Sequence, residues 1–297
     1  MVLLRSWGSS RVCILSPILF AIFIDGLAQA LKQVQVGSVL EGTRFNLTLF
    51  ADDIAILAES RQDLQNLLDA AFDYSESWKF RWNCSGALLS WRSRARSWSF
   101  KFLGIDLQQN LSWAGSKARF AAKAKSRLPM ITKAVIEGLS IESGQKLWES
   151  MVRPTLEYSA EIWGGGNWPQ ADCIQNAAGR TILGLHRFSA VEVARGELGW
   201  LSMQARREIK QLKYWGKLLK MKDVRLPKIV YRQCKNRTAR LKGSFCYSIK
   251  SILGNLNLGH LWMSEEIGEY SDWVSVVGAA IKRKDTDLWL LAMQEKS

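Results

Sequence analysis

Apolar and polar positions change most sharply around Asn46–Ala58, where two short apolar runs flank an Asp-Asp pair. Leu47, Leu49, Ile54, Ile56 and Leu57 favour pleated, packed structure, and too few residues separate the runs for anything but a tight turn. The pattern predicts a β-hairpin with Asp52 and Asp53 at its tip. Upstream, Ser16 and Pro17 open the run Ile18, Leu19, Phe20, Ile22, Phe23 and Leu27, which covers more than one helical face. That spacing predicts a buried helix with Ser16 as N-cap and Pro17 in the first turn. Leu27–Phe45 reads as a connection turning at Gly37 and Gly42. Arg61–Trp82 carries Leu64, Leu67, Leu68, Ala71, Phe72 and Ser75 at helical spacing, with Asp63, Gln65, Asp69 and Asp73 outward.

A second hairpin is expected from Phe100–Leu107 through Gln108–Asn110 to Leu111–Trp113. From Gly115 the pattern is helical. Phe120, Ala124, Leu128 and Ile131 face inward, Lys123, Lys125 and Arg127 face outward, and Pro129 ends or kinks the run. Gln145–Trp163 and Arg206–Lys222 are further helices, whereas Lys228–Lys250 reads as loop with short helices, and residues 251–297 as helical. Core packing is the preferred role of Trp163, Leu183 and Trp200. The fold class expected is α+β, with boundaries at residues 1–106, 107–222 and 223–297.

Charge changes this picture. The 297 residues carry a net charge of +14, yet residues 1–70 hold five Lys/Arg against seven Asp/Glu. The basic surplus therefore lies entirely in the later, helical part and argues for a polyanionic partner, nucleic acid above all. In Arg206–Lys222 the cations Arg206, Arg207, Lys210, Lys213 and Lys217 surround a stripe of Ile209, Leu212, Gly216 and Leu219. With Lys123, Lys125 and Arg127 they are the candidate contacts to a phosphate backbone. Trp91–Trp98 alternates arginine with small or aromatic residues, which suits phosphate and base contact but equally a solvated strand face.

Five scattered cysteines without a Cys-x-x-Cys, and only two histidines, exclude a zinc knuckle and a disulfide framework. An intracellular chain, nuclear or cytoplasmic, is the expectation. Arg5 and Arg11 before the apolar run, with Ala28-Gln-Ala30 after it, imitate a secretory signal, but Ser-Pro inside the run and the unpaired cysteines oppose that reading. The run is also too short for a membrane span, so no membrane partner is expected.

Carboxylates at the rim of a sheet offer hard oxygen ligands to Mg²⁺, which commonly shares them with a substrate phosphate; a plain surface turn is the competing account, since Asp is favoured in turns locally. The order of motifs adds to this. Cys13, Leu15, Ser16, Pro17, Leu19 and Phe20, followed by Phe50-Ala51-Asp52-Asp53, resemble the reverse transcriptases of non-LTR (LINE-type) retrotransposons. Phe102-Leu103-Gly104 is similar to that family's primer-grip hairpin, and Arg153–Trp163, Ile174–Gly184 and Glu197–Leu201 are similar to its post-palm helices.

The resemblance implies an RNA-directed DNA polymerase using Mg²⁺ (or Mn²⁺), with Asp52 as metal ligand and Asp53 as its partner. Ser16, Pro17, Phe50 and Ala51 would lie in the nucleotide and template region, and the partners would be an RNA template and a DNA primer. It also implies an incomplete, N-terminally truncated palm followed by a helical thumb and a C-terminal helical region. Only 15 residues precede Ser16, none of them Asp or Glu, so the upstream catalytic aspartate and the fingers are missing. Arg11-Val12 replaces the family's Gln-Gly, and Gly86 stands where its acid-candidate lysine would be. The expectation is a fragment inactive by itself, with a non-catalytic nucleic-acid-binding protein as the alternative. Loss of the strand beside the hairpin would leave an open edge, prone to pair with another chain, and residues 1–106 poorly stable alone.

Overall fold

The computed structural model describes residues 2–6, 14–83, 99–108, 110–238 and 240–295. They form two compact units, residues 1–112 and 113–297. The first is α+β and the second is helical.

In the first unit, β1 (Val2–Ser6) precedes α1 (Ser16–Gln33), β2 (Ser38–Leu40) and β3 (Thr43–Phe45). The Asp-Asp hairpin is β4 (Leu47–Phe50) and β5 (Asp53–Ile56), followed by α2 (Arg61–Ser77) and β6 (Trp82–Asn83). The unit closes with the hairpin of β7 (Ser99–Phe102) and β8 (Ile105–Gln108). The main sheet has the order β4-β5-β1-β6, and both pairings of β1 are antiparallel. Strand alternation sends Leu47 and Leu49 to the face of Ile54 and Ile56, and that face packs on Ile24, Leu27 and Leu31 of α1 and Leu64, Leu67, Leu68 and Ala71 of α2. The buried Asn46 amide ties this layer together by donating to the carbonyls of Leu31 (2.7 Å) and Val36 (3.1 Å).

Several expectations change here. The edge of β5 expected to stand open is covered by β1, leaving β4 and β6 as the outer strands. The expected connection Leu27–Phe45 contains a hairpin, because Glu41 and Gly42 both take positive φ (47° and 74°), the pattern of a type I′ turn. The second hairpin turns at Leu103-Gly104 (φ 47° and 75°), not at Gln108–Asn110. Ser16 is the first helical residue of α1 rather than its cap; Leu15 holds that position and gives no side-chain hydrogen bond.

The start of α1 also departs from its expected burial. Ile14, Leu15, Ile18, Leu19 and Ile22 are more than half exposed, while Ile24, Leu27, Ala28 and Leu31 are buried. Only the C-terminal half of the helix lies over the sheet. Leu27 and Leu31 are buried on either side of Ala30, so the imitation cleavage site lies within the packed C-terminal half of α1. Gly26 lets α2 approach closely: a Cβ there would stand 2.5 Å from the Tyr74 hydroxyl, which donates to the Phe23 carbonyl at 2.7 Å.

The second unit begins with α3 (Ala114–Lys125), α4 (Leu128–Ile136), α5 (Ile141–Leu147), a π turn (Trp148–Val152), α6 (Arg153–Leu156) and α7 (Ala160–Trp163). Pro129 opens α4 after a break at Ser126 and Arg127, since its missing amide costs nothing in a first turn. Then come α8 (Pro169–Ile182), α9 (Val191–Glu197), α10 (Met203–Lys220), α11 (Leu226–Thr238), α12 (Phe245–Asn255), α13 (Leu261–Ser264) and α14 (Tyr270–Gln294). The stretch Lys228–Lys250, read as loop with short helices, lies mostly in α11 and the first half of α12. No described helix is long and apolar enough to cross a membrane.

Two cores fill this unit. One surrounds Trp148, Val152, Leu156, Trp163, Trp168, Ala171 and Met203; the other surrounds Leu212, Trp215, Ile249, Leu253, Trp262, Trp273 and Val277. Asp285 on α14 binds the elements between them. It accepts from the Ser202 hydroxyl (2.6 Å), the Ser202 amide (2.9 Å) and Arg195 Nη2 (3.1 Å), and Ser202 caps α10 through the Ala205 amide. In the second core Trp215 Nε1 donates to the Tyr231 hydroxyl (2.9 Å), which donates to Glu265 Oε1 (2.6 Å).

Candidate functional site

The turn Ala51-Asp52 joins β4 to β5, with Phe50 paired across to Asp53. Ala51 has φ +50° and Asp52 does not share a positive φ, the pattern of a type II′ turn in which glycine is the usual first residue. Alternation puts Phe50 and Asp53 on the face opposite Leu49 and Ile54, away from the helical core. Phe50 is 62% exposed, Asp52 is exposed and Asp53 is half-buried. The carboxylates therefore sit at the sheet rim, as the sequence predicts.

What lies beside them is different from a polymerase requirement. In the β1–β5 register, the position opposite Asp53 belongs to Arg5. A two-ion phosphoryl-transfer site draws carboxylates from more than one strand, and at this register the neighbouring strand has an arginine in its sequence rather than a carboxylate. Among the described residues no group of three or more His, Cys, Asp or Glu is placed to hold a metal ion. Asp52 and Asp53 by themselves are two carboxylates, fewer than a two-ion site asks for.

These geometries are joined by one finding from comparison. Residues 13–107 match the reverse transcriptase (RNA-dependent DNA polymerase) family. The match spans α1, the Asp-Asp hairpin, α2 and nearly all of the β7–β8 hairpin, so the chain carries a reverse-transcriptase-like domain in its first unit. A comparison with curated proteins gives no match.

Within the reverse-transcriptase-like segment, Ser16 and Pro17 form the first turn of α1. Phe102, Leu103 and Gly104 make the β7–β8 turn, in a two-stranded sheet separate from the one that carries Asp53. Gly86, Cys84, the Arg92–Arg96 strip, Cys13 and Arg11-Val12 lie outside the described residues.

The cations predicted to contact phosphates divide into two groups. Lys123, Lys125 and Lys217 are exposed, and Lys213 is half-buried. Arg127 is held by the Thr155 hydroxyl (2.5 Å) and the Met151 carbonyl. Arg206 pairs with Glu157, and Lys210 reaches both the Glu157 carboxylate (3.3 Å) and its carbonyl (3.1 Å). Arg207 is fully buried, donates to the carbonyls of Gly164 (3.2 Å) and Gly166 (3.3 Å), and lies over the Trp168 ring. It belongs to the core and not to the outward cationic face expected of this helix.

The same burial lowers the Arg207 pKa, offset by the charges of Asp172, Glu208 and Glu157. Burial also lowers the pKa of Lys117, with the Arg207 charge adding to it, and raises that of Asp172 against the pull of Arg207. Sequence reasoning missed Arg5 as the strand neighbour of Asp53. The apolar run Val2-Leu3-Leu4 was the available signal.

Proposed function

We propose that the first unit is a reverse-transcriptase palm of the non-LTR retrotransposon type that binds nucleic acid but does not extend a primer on its own. The observation that carries the reading is the Phe-Ala-Asp-Asp hairpin with Arg5, not a carboxylate, at the strand register of Asp53. In this reading Asp52 and Asp53 hold a single Mg²⁺ or Mn²⁺ against a phosphate of template or primer. Among the described residues no third carboxylate is placed to hold the second ion, which would activate the attacking hydroxyl.

The test is primer extension on an RNA template by the purified chain, with Mg²⁺ and with Mn²⁺, beside an Asp52→Ala/Asp53→Ala control. No extension is expected from either protein. Extension by the natural chain that the control lacks would overturn the inactive assignment.

The exposed Lys123, Lys125 and Lys217 favour a second reading, a non-catalytic nucleic-acid-binding protein built on the helical unit. Binding to a primer–template duplex would then fall steeply with salt and survive Asp52→Ala, because release of counterions depends on the cations. Salt-insensitive binding would exclude it.

A further inference from the structure

Within the helical unit, α5, the π turn, α8, the Leu198–Leu201 loop, α10 and α14 enclose a cleft of about 450 Å³, a size that suits a small ligand. Its lining includes Trp148 and Trp200, whose rings stack with centroids 5.1 Å apart and planes 23° apart. Trp148 is buried while Trp200 remains half-buried, so the cleft has an aromatic wall backed by the core.

The wall is fixed in place. Gly199 takes φ +62° after α9, its amide donates to the Gly196 carbonyl (3.0 Å), and the Trp200 amide donates to Arg195 (2.9 Å). These two bonds form a Schellman motif, which turns Trp200 back onto Trp148. Gln145 Nε2 donates to the Leu198 carbonyl (3.1 Å) and Gln175 Nε2 to that of Leu201 (2.8 Å), clamping both ends of the loop.

The cations of the cleft are Lys146, Arg153, Arg206 and Lys282, against Glu142 and Glu149. Arg153 pairs with Glu149 (2.5 Å) and Arg206 with Glu157. Among the described residues neither Lys146, one helical turn from Glu142 whose charge it feels, nor Lys282 on α14 makes an ion pair. Exposed ammonium groups and an aromatic wall lining one cleft match a ligand with a flat ring and a negative charge.

We propose that this cleft binds a nucleotide unit, with its base against Trp200 and its phosphate at Lys146 and Lys282. The same chemistry is presented by a free nucleotide and by one residue of a single strand. The site is independent of any metal at Asp52 and Asp53, and lies in the unit outside the family match.

The test titrates the full chain calorimetrically with a nucleoside 5′-monophosphate, a short single-stranded oligonucleotide and inorganic phosphate. Lys146→Ala/Lys282→Ala is expected to weaken nucleotide binding by roughly tenfold or more, as loss of charge-assisted contacts requires. Both lysines are exposed, so this variant should keep the natural melting temperature. Tighter binding of the monophosphate would identify free nucleotide as the source, and tighter binding of the oligonucleotide a strand. Unchanged affinity in the lysine variant, inorganic phosphate binding as well as the nucleotide, or no binding of either nucleotide probe would each overturn the proposal. Asp52→Ala/Asp53→Ala should leave this binding intact, which separates failure of the cleft from failure of the hairpin reading.

Discussion

The Asp-Asp hairpin and the tryptophan-walled cleft are built in opposite ways. The hairpin's chemistry is contiguous in sequence, stands at the rim of a small sheet and is largely exposed. The cleft draws its residues from Glu142 to Lys282, and each is placed by a helix or a capped loop. A contiguous motif survives inspection of the sequence because its geometry is local. A dispersed site needs the fold, and so does the fate of a charge. Four cations of the helical unit read as phosphate contacts, Arg127, Arg206, Arg207 and Lys210, are bound to a hydroxyl, a carboxylate or backbone carbonyls within the unit.

The contrast can be tested first at the strongest joint of the helical unit. Asp285→Ala removes the acceptor of Ser202 and Arg195 and should cost about 3 kcal/mol of stability by chemical denaturation. Asp52→Ala should change stability by less than about 0.5 kcal/mol, as expected of an exposed turn carboxylate. Equal losses would mean that the two regions are not built differently. In the first unit, Gly26→Ala should cost about 1–3 kcal/mol, because its Cβ meets the Tyr74 hydroxyl at 2.5 Å.

Ala51→Gly should act in the other direction, adding about 1 kcal/mol by relieving a positive φ that alanine tolerates poorly. A loss instead would show that the turn is held by more than its backbone.

A smaller effect is expected at low pH. Burial pulls the Glu265 pKa upward, but hydrogen bonds from Lys235 and Tyr231 outweigh it and hold the group below its ordinary 4.5. A depressed carboxyl contributes stability above its unfolded pKa and loses it as pH falls through the folded value. Glu265→Gln should therefore flatten the acid limb of the stability curve below about pH 4.5 while leaving its neutral shape intact. An acid limb identical to that of the natural chain would remove Glu265 from the account.

The smallest change is predicted where the sequence promised a large one. Ile18→Gln/Ile22→Gln replaces residues that are 59% and 68% exposed, and should alter stability by no more than about 0.5 kcal/mol per site. A loss of several kcal/mol, the signature of a core position, would restore the buried reading of that half-helix.

Period and turn chemistry made a good part of the fold legible beforehand. The Asp-Asp hairpin, the α2 face of Leu64, Leu67, Leu68 and Ala71, and the helical character of the second unit all follow from local spacing. Phe72 shows the limit of the same signal, being 45% exposed beside that buried face. The type I′ turns at Glu41-Gly42 and Leu103-Gly104 were harder to locate, because each hides a non-glycine residue at positive φ.

The sequence by itself determined that the carboxylates stand at the hairpin's end, because a two-residue connection, Ala51-Asp52, leaves Asp53 the first position of the next strand. It also determined most of the helical stretches, though not α11, because the 3.6-residue period is a local property. Only the tertiary structure decided that β1 covers β5 with Arg5 opposite Asp53, that half of α1 remains exposed, and that Arg207 lies inside while Lys282 lies outside. Strand register, helix coverage and the pairing of charges depend on residues far apart in the chain, and no local pattern encodes which of them meet.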